Sequence, residues 1–238
     1  MNAIEQKALK SLVEQWNNVM THLEKLRLPA ARPDDGYRIF SLIEHPKVAG
    51  QIGFEVAPVT FNVPERAYAS PDIFIVAKGR IYLDEDALKT QKALKTVNFA
   101  TEVGYFRKSK TKAELDHIYG AHYDFSFDEI GHPIFHAQMK SYNERACYVT
   151  EEFQLDCTSN DLIKHVLRTV RLPIAQMDFF ALVLQICADH LMSKDSPPEE
   201  IEAFADLRKV SRAIQGAGHL CANLSAAPPC MRSVHWYS

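Results

Sequence analysis

Histidine, aspartate and glutamine alternate with aromatic and apolar residues in two short segments of this sequence. His122 and Asp124 lie two positions apart, and His136 and Gln138 repeat that spacing further along the chain. Side chains alternate between the two faces of a β-strand, so residues two apart project from the same face. The spacing therefore predicts a β-hairpin that carries these four polar side chains together on one face.

The register of this hairpin follows from its apolar residues. If the turn centres on Ile130, the aromatic residues of the two strands meet on one face and the polar residues meet on the other. The facing pairs are then Phe125 with Phe135, Tyr123 with Ala137, Asp124 with His136, and His122 with Gln138. A shift by one residue would place aromatic residues opposite the polar set, so this register is favoured.

Two kinds of chemistry suit the polar face. His122, Asp124 and His136 are two imidazoles and a carboxylate, the usual ligands of a divalent transition metal such as zinc or manganese. Without a metal, the two histidines can serve as general base and general acid, with Asp124 orienting them. Gln138 and Lys140 would support this catalysis, since a lysine can stabilise the charge that develops on a phosphate. The face therefore suggests a hydrolase, metal-assisted or acid–base, that cleaves phosphodiesters as a nuclease does.

The same polar face is also consistent with roles that involve no catalysis. It can bind a ligand without transforming it. Polar residues are also ordinary on the outer side of an antiparallel sheet, where aspartate and histidine often satisfy each other. In that case the chain would be a non-enzymatic interaction protein, whose helices bind a partner chain or a second copy of itself. Only a catalytic face would lose activity through His136→Ala while the melting temperature stays nearly unchanged.

A basic stretch precedes the first strand of the hairpin. It contains Arg107, Lys108, Lys110 and Lys112. Such residues bind nucleic-acid phosphates without reading the base sequence. Because the stretch leads into the strand that carries His122, we expect it to hold the phosphates if the substrate is RNA or DNA. A solvated loop is the simpler interpretation.

The C-terminal segment contains a second set of potential zinc ligands. His219 pairs with Cys221, and Cys230 pairs with His235. Structural zinc sites usually contain two short ligand pairs of regular spacing, and these pairs are either too tight or irregular. We therefore favour an irregular tail without zinc.

Apolar periodicity predicts the elements that position the hairpin. Residues 3–27 repeat apolar residues at steps of three and four, which is typical of an amphipathic helix, and Asn2 can cap it. Strands are predicted at 59–63 (an edge strand), 73–77 (buried on both faces), 80–83 (after a turn at Lys78 and Gly79), 97–105 (where Val97, Phe99, Val103 and Tyr105 alternate), 114–127 and 133–142. Further helices are predicted at 85–95, 161–171, 173–192 and 196–216.

This order of elements predicts an α+β fold. We expect an antiparallel sheet of five to seven strands, flanked by the N-terminal helix and a C-terminal helical run. Residues 1–158 would form the helix and the sheet, and residues 159–238 would form the helical part that packs on the same core.

Composition limits the class of protein. The 238 residues are 47% hydrophobic and 24% charged, with a net charge of -3, which is typical of a globular chain without general attraction to nucleic acid or anionic membranes. The five cysteines are odd in number and form no C-x-x-C, which favours a reduced, cytoplasmic setting. No apolar stretch approaches the ~20 residues of a membrane span. Glycine-rich nucleotide motifs and the G-x-S-x-G elbow are absent from the sequence.

Overall fold

The computed structural model describes residues 1–27, 30, 31, 39–44, 46, 49–63, 73–91, 94–108, 114–125, 135–139, 156–158, 171–173, 178–193 and 195–211. Within these residues a single sheet contains β1 (Ala30–Ala31), β2 (Phe40–Leu42), β3 (Gln51–Val63), β4 (Ile73–Asp84), β5 (Thr96–Lys108), β6 (Glu114–Phe125), β7 (Phe135–Met139), β8 (Asp156–Thr158) and β9 (Arg171–Pro173). The main path follows the order β1-β3-β4-β5-β6-β7-β9. β2 also pairs with β3, and β8 pairs with β6 as a short parallel strand.

Helices precede and follow the sheet, which confirms the predicted α+β class. The described helices are α1 (Ala3–Lys25), α2 (Glu85–Thr90), α3 (Phe179–His190) and α4 (Pro198–Ser211). α1 begins with the predicted cap: the Asn2 side chain accepts from the backbone N–H of Glu5, and the Glu5 carboxylate accepts from the N–H of Asn2. Asp178 caps α3 in a similar way, by accepting from two backbone N–H groups. None of these described helices combines the length and apolar character that a membrane span requires.

One face of the sheet, which we call the inner face, packs against the helices. α3 lies on β4, while α1 contacts β2 and α4. The inner-face residues Phe54, Ile81, Val103 and Ala121 join the same core cluster as Trp16 of α1 and Val183 of α3. Burial of this continuous apolar cluster is the main force that holds the helices on the sheet.

The opposite face, which we call the outer face, divides along the length of the strands. Around Phe74, Val76 and Phe106 it is buried, so both faces of β4 are covered over residues 73–77, as predicted. Further along β4 the same face becomes polar and partly exposed, beginning at Lys78 and continuing to Arg80. This polar part of the outer face is therefore partly open to solvent.

The predicted turn at Lys78 and Gly79 is wrong. β4 continues through both residues. Lys78 pairs with β5, and Gly79 pairs with both β3 and β5. Glycine is required at residue 79 because β5 approaches closely there: an added Cβ would lie 2.4 Å from the backbone oxygen of Ala100. A glycine inside a strand can mark such an approach of two backbones instead of a turn.

The prediction of an edge strand at 59–63 is also wrong. These residues belong to the longer strand β3, which pairs with β4 on one side and with β1 and β2 on the other. Pro58 lies at an irregularity of the β3–β4 ladder between Val56 and Val59. A bulge tolerates proline because the missing N–H is not needed by the ladder there.

Several other predictions match with shorter bounds. The strands predicted at 114–127 and 133–142 are β6 and β7, and the helix predicted at 85–95 is α2. The helix predicted at 173–192 begins only at Phe179, and residue 173 belongs to β9. The helix predicted at 161–171 lies outside the described residues except for residue 171, which is also in β9. His219, Cys221, Cys230 and His235 lie outside the described residues as well.

Candidate functional site

Polar residues of the predicted hairpin lie at outer-face positions of β6 and β7. The predicted register is confirmed, because β6 and β7 pair Asp124 with His136 and His122 with Gln138. On its other side β6 meets β5, where Glu102 pairs with His122. The hairpin residues therefore belong to a wider polar surface that β5 extends.

Two rows of residues cross this surface from strand to strand. Residues paired in register share a face, so each row follows directly from the strand pairing. One row contains Glu55, Arg80, Ala100, Asp124, His136 and Pro173, and the other contains Lys78, Glu102, His122, Gln138 and Arg171. We call these two rows the outer polar surface.

His122 and Asp124 form a contact at the centre of the outer polar surface. The Nε2 atom of His122 lies 3.3 Å from the Oδ2 atom of Asp124, and their side chains are 13% and 31% exposed. The Nδ1 atom of His122 and the Oδ1 atom of Asp124 are buried. Nε2 and Oδ2 face each other, and they are the two atoms of this pair placed to share a proton or a cation.

The separation of these two atoms suits a shared metal ion. Two ligand atoms bound to one zinc at about 2.0–2.1 Å in tetrahedral geometry lie roughly 3.3–3.4 Å apart. The observed 3.3 Å between Nε2 and Oδ2 fits that arrangement as well as it fits a direct hydrogen bond. This pair can supply two of the three protein ligands that a catalytic zinc normally has.

His136 is the third residue of the predicted metal set. Its backbone lies directly across from Asp124 in the β6–β7 ladder, while its side chain lies outside the described part of the structure. Lys140 lies outside it too, and Gln138 is partly buried on the outer face opposite His122. Among the side chains that the structure describes, no three histidine, cysteine, aspartate or glutamate residues gather closely enough to hold a metal ion. The structure thus brings together His122 and Asp124, and a complete site depends on His136.

Sequence reasoning missed the charged residues that β4 and β5 add to this surface. The Nζ atom of Lys78 lies 3.5 Å from the Oε2 atom of Glu102, and both side chains are partly exposed. Arg80 projects two residues further along the same face of β4 and is exposed. Lys78, Arg80 and Tyr82 do alternate with buried or small residues, which is the signal of a strand face. Interpreting Lys78 and Gly79 as a turn hides that signal.

The predicted nucleic-acid contact begins at Arg107, near the end of β5. Arg107 is exposed, but it lies five positions after Glu102 and pairs with Ile73 of the inner face, so the two side chains project from opposite faces of β5. Lys110 and Lys112 lie outside the described residues, as does the side chain of Lys108. Binding of nucleic acid by this stretch stays a prediction, and Arg107 projects away from the outer polar surface.

Two other reactive groups lie on the helical side of the sheet and serve packing. The Nε2 atom of His190 lies 3.3 Å from the hydroxyl oxygen of Tyr105, and the two rings meet edge to face. Burial lowers the pKa of His190, and the Asp189 carboxylate offsets this in part. Burial raises the pKa of the Cys187 thiol to about 12, so that thiol is unreactive in the folded protein.

No protein-family model, curated protein or solved structure is significantly similar to this chain.

Proposed function

We propose that the protein is a metal-assisted hydrolase of phosphodiesters whose site is built on the His122–Asp124 pair. The observation that carries the proposal is the 3.3 Å separation of Nε2 and Oδ2, with His136 directly across from Asp124 in register. Two imidazoles and one carboxylate can hold zinc or manganese and leave positions for water and substrate. A divalent metal held by these residues would lower the pKa of a coordinated water and so make a nucleophile available near neutral pH.

Unaided acid–base catalysis fits this geometry less well. A general base needs a ring nitrogen within hydrogen-bond reach of the proton that it removes. In His122 the Nε2 atom faces Asp124 and the Nδ1 atom is buried, so neither nitrogen points freely at a substrate. His122 is better placed to hold a cation together with Asp124.

The balance of charge on the outer polar surface also favours a metal. Its described carboxylates outnumber its described cations, and the groups are Glu55, Glu102, Asp124, Lys78 and Arg80. A phosphodiester is an anion and gains more negative charge on its transferring oxygens during reaction. A divalent cation held at Asp124 would supply the positive charge that hydrolysis of such a substrate needs.

Each residue of the hairpin has a defined role in this proposal. His122, Asp124 and His136 are the ligands, and Gln138 donates a hydrogen bond from its amide to a phosphate oxygen. Lys140 stabilises the charge on the departing ester oxygen. The oxygen of water bonds to phosphorus, the ester P–O bond breaks, and the leaving group departs as the alcohol after it gains a proton.

Hydrolysis of bis(4-nitrophenyl) phosphate in the presence of Zn²⁺ or Mn²⁺ tests the proposal, with release of 4-nitrophenolate as the readout. We expect Asp124→Asn to lower kcat/KM at least about 100-fold, since even residues that only support metal ligands contribute 10–100-fold. Asp86→Asn is the matched control, because it removes the same charge from an exposed position on α2. It should leave kcat/KM unchanged.

Equal activity in Asp124→Asn and in the wild type would contradict the proposal. So would a wild type that hydrolyses no phosphodiester with any divalent metal. In the second case the alternative of an interaction protein is tested by substituting exposed polar residues of α1 and α4 and measuring whether the chain still associates with itself.

A further inference from the structure

A shallow hollow lies in the outer polar surface beside the proposed metal site. It has a volume of about 150 Å³, and its lining residues are Glu55, Lys78, Gly79, Arg80, Ala100 and Glu102. The hollow is centred over β4 and β5, while the His122–Asp124 pair is on β6. Neighbouring strands are about 4.8 Å apart, so β4 lies roughly 10 Å from β6, within reach of one bound substrate.

Small residues explain why the surface is hollow there. Ala100 lies in register between Arg80 of β4 and Asp124 of β6, and its methyl group leaves the space between two longer side chains open. Gly79 brings the two strands together, since any side chain there would meet the Ala100 backbone. The hollow therefore has a floor of backbone and a rim of charged side chains.

The rim offers both hydrogen-bond donors and acceptors. Lys78 and Glu102 lie 3.5 Å apart and offset each other's charge. Arg80 and Glu55 are exposed, and they are paired in register across β3 and β4. Within the described part of the chain, their side chains form no ion pair with each other. A guanidinium can only donate and a carboxylate can only accept. The best ligand for such a rim is a neutral group that both donates and accepts.

A sugar ring meets these requirements of size and chemistry. Its hydroxyl groups donate to carboxylates and accept from arginine and lysine. Drug-sized ligands occupy pockets of roughly 300–1,000 Å³, so a hollow of half the smallest size suits one ring and not a whole nucleotide. The rim carries two carboxylates and two cations, so it has no net positive charge to attract a second phosphate into the hollow.

We infer that the hollow over Ala100 binds the sugar next to the scissile phosphate, so that the substrates are esters of nucleoside phosphates. This inference rests on the proposed hydrolase function. It adds that Glu55, Arg80 and Glu102 select for a sugar, and that the reaction centre lies at His122 and Asp124.

Two substrates with the same leaving group test the inference. Bis(4-nitrophenyl) phosphate has no sugar, and thymidine 5′-(4-nitrophenyl phosphate) carries one. We expect the wild type to prefer the thymidine ester in kcat/KM. Ala100→Leu fills the hollow, and Glu55→Gln weakens its rim from β3, far from the metal site. Glu55→Gln should reduce that preference about tenfold, the typical effect of one hydrogen bond to a charged group. Ala100→Leu should reduce it at least as much, because the ring no longer fits.

The preference for the thymidine ester tests the sugar site, whereas hydrolysis of the sugar-free diester tests the hydrolase function. Loss of preference with unchanged hydrolysis of the sugar-free diester supports the inference. An unchanged preference in both variants overturns the inference and leaves the hydrolase proposal intact. Equal loss for both substrates in Glu55→Gln also overturns it, because the hollow would then not be specific for the sugar.

Direct binding gives a second readout that needs no catalysis. Methyl β-D-ribofuranoside is titrated into ¹⁵N-labelled wild type and Ala100→Leu while amide shifts are followed by NMR. Shifts at Gly79, Ala100 and Glu102 that vanish in the variant support the sugar site even if no diester is hydrolysed. No shift at these amides in the wild type would overturn it.

Discussion

The two faces of strands β3 and β4 differ in burial and in polarity, although alternate residues of the same strands form them. Phe54 of β3 faces the helices and is fully buried, whereas its neighbour Glu55 lies on the outer polar surface and is exposed. Ile81 and Arg80 of β4 repeat that contrast. The inner face stabilises the fold through apolar burial, and the outer polar surface contributes little to stability. Its charged residues can therefore serve a ligand without weakening the sheet.

Adjacent substitutions in β3 should show the largest difference between the faces. We expect Phe54→Ala to lower the free energy of unfolding by about 3–5 kcal/mol, because it removes a fully buried ring and leaves a cavity. Glu55→Ala, one residue away on the opposite face, should change it by no more than about 0.5 kcal/mol. Urea unfolding followed by circular dichroism measures both. Equal losses would mean that the two faces are not distinct in stability.

The close contact of β4 with β5 should show the next largest effect. Gly79→Ala places a Cβ against the Ala100 backbone oxygen, and we expect a loss of about 1–3 kcal/mol of unfolding free energy from the forced strand shift. Gly50→Ala is the comparison: residue 50 has a positive φ of 79°, but a Cβ added there would meet nothing within 4 Å, so only backbone strain of about 1 kcal/mol applies. The same urea titration compares the variants. A smaller loss for Gly79→Ala than for Gly50→Ala would contradict the close contact.

Removal of the central imidazole should affect stability less. We expect His122→Ala to change the free energy of unfolding by about 1 kcal/mol, the typical net contribution of one hydrogen-bonded contact, while phosphodiester hydrolysis is lost. Thermal melting and the hydrolysis assay on the same preparation measure the two effects. A large loss of stability would instead mark the outer polar surface as structural.

The pH dependence of stability should arise from the helical side and should be the smallest effect. Burial lowers the pKa of His22, an effect that Lys25 increases and Asp206 reduces, and burial also lowers the pKa of His190. The two histidines of the unfolded chain therefore take up protons at a higher pH than those of the folded protein. The stability that the neutral histidines contribute is fully present above about pH 6.5, and it is lost as the pH falls from there through their pKa in the folded protein. Replacing both histidines with glutamine should flatten the decrease in unfolding free energy between about pH 7 and pH 5. An identical slope in the double variant would contradict this origin.

The sequence was sufficient for the elements that depend on neighbouring residues. α1 follows from its apolar stripe and from the Asn2–Glu5 cap, and the β6–β7 register follows from the alternation of aromatic and polar residues around Ile130. Both are local patterns, because each depends on residues a few positions apart or across one turn.

Features that arise between distant segments could not be predicted in this way. Gly79 carries the local signal of a turn, and only the approach of Ala100 from β5 explains it as a strand residue. The Lys78–Glu102 pair and the hollow over Ala100 likewise depend on the β4–β5 register. The sequence shows where the polar residues are, but it does not show which strands pair and therefore which polar residues share a surface.

Metal content tests the central claim most directly. Elemental analysis of untagged wild type is compared with His122→Ala and His136→Ala, and with His22→Gln as a control that removes a histidine from α1. We predict a near-stoichiometric divalent transition metal in the wild type and in His22→Gln, and its loss from both hairpin variants. No metal in the wild type after equilibration with zinc or manganese, or full retention in both hairpin variants, would contradict a metal site on the outer polar surface.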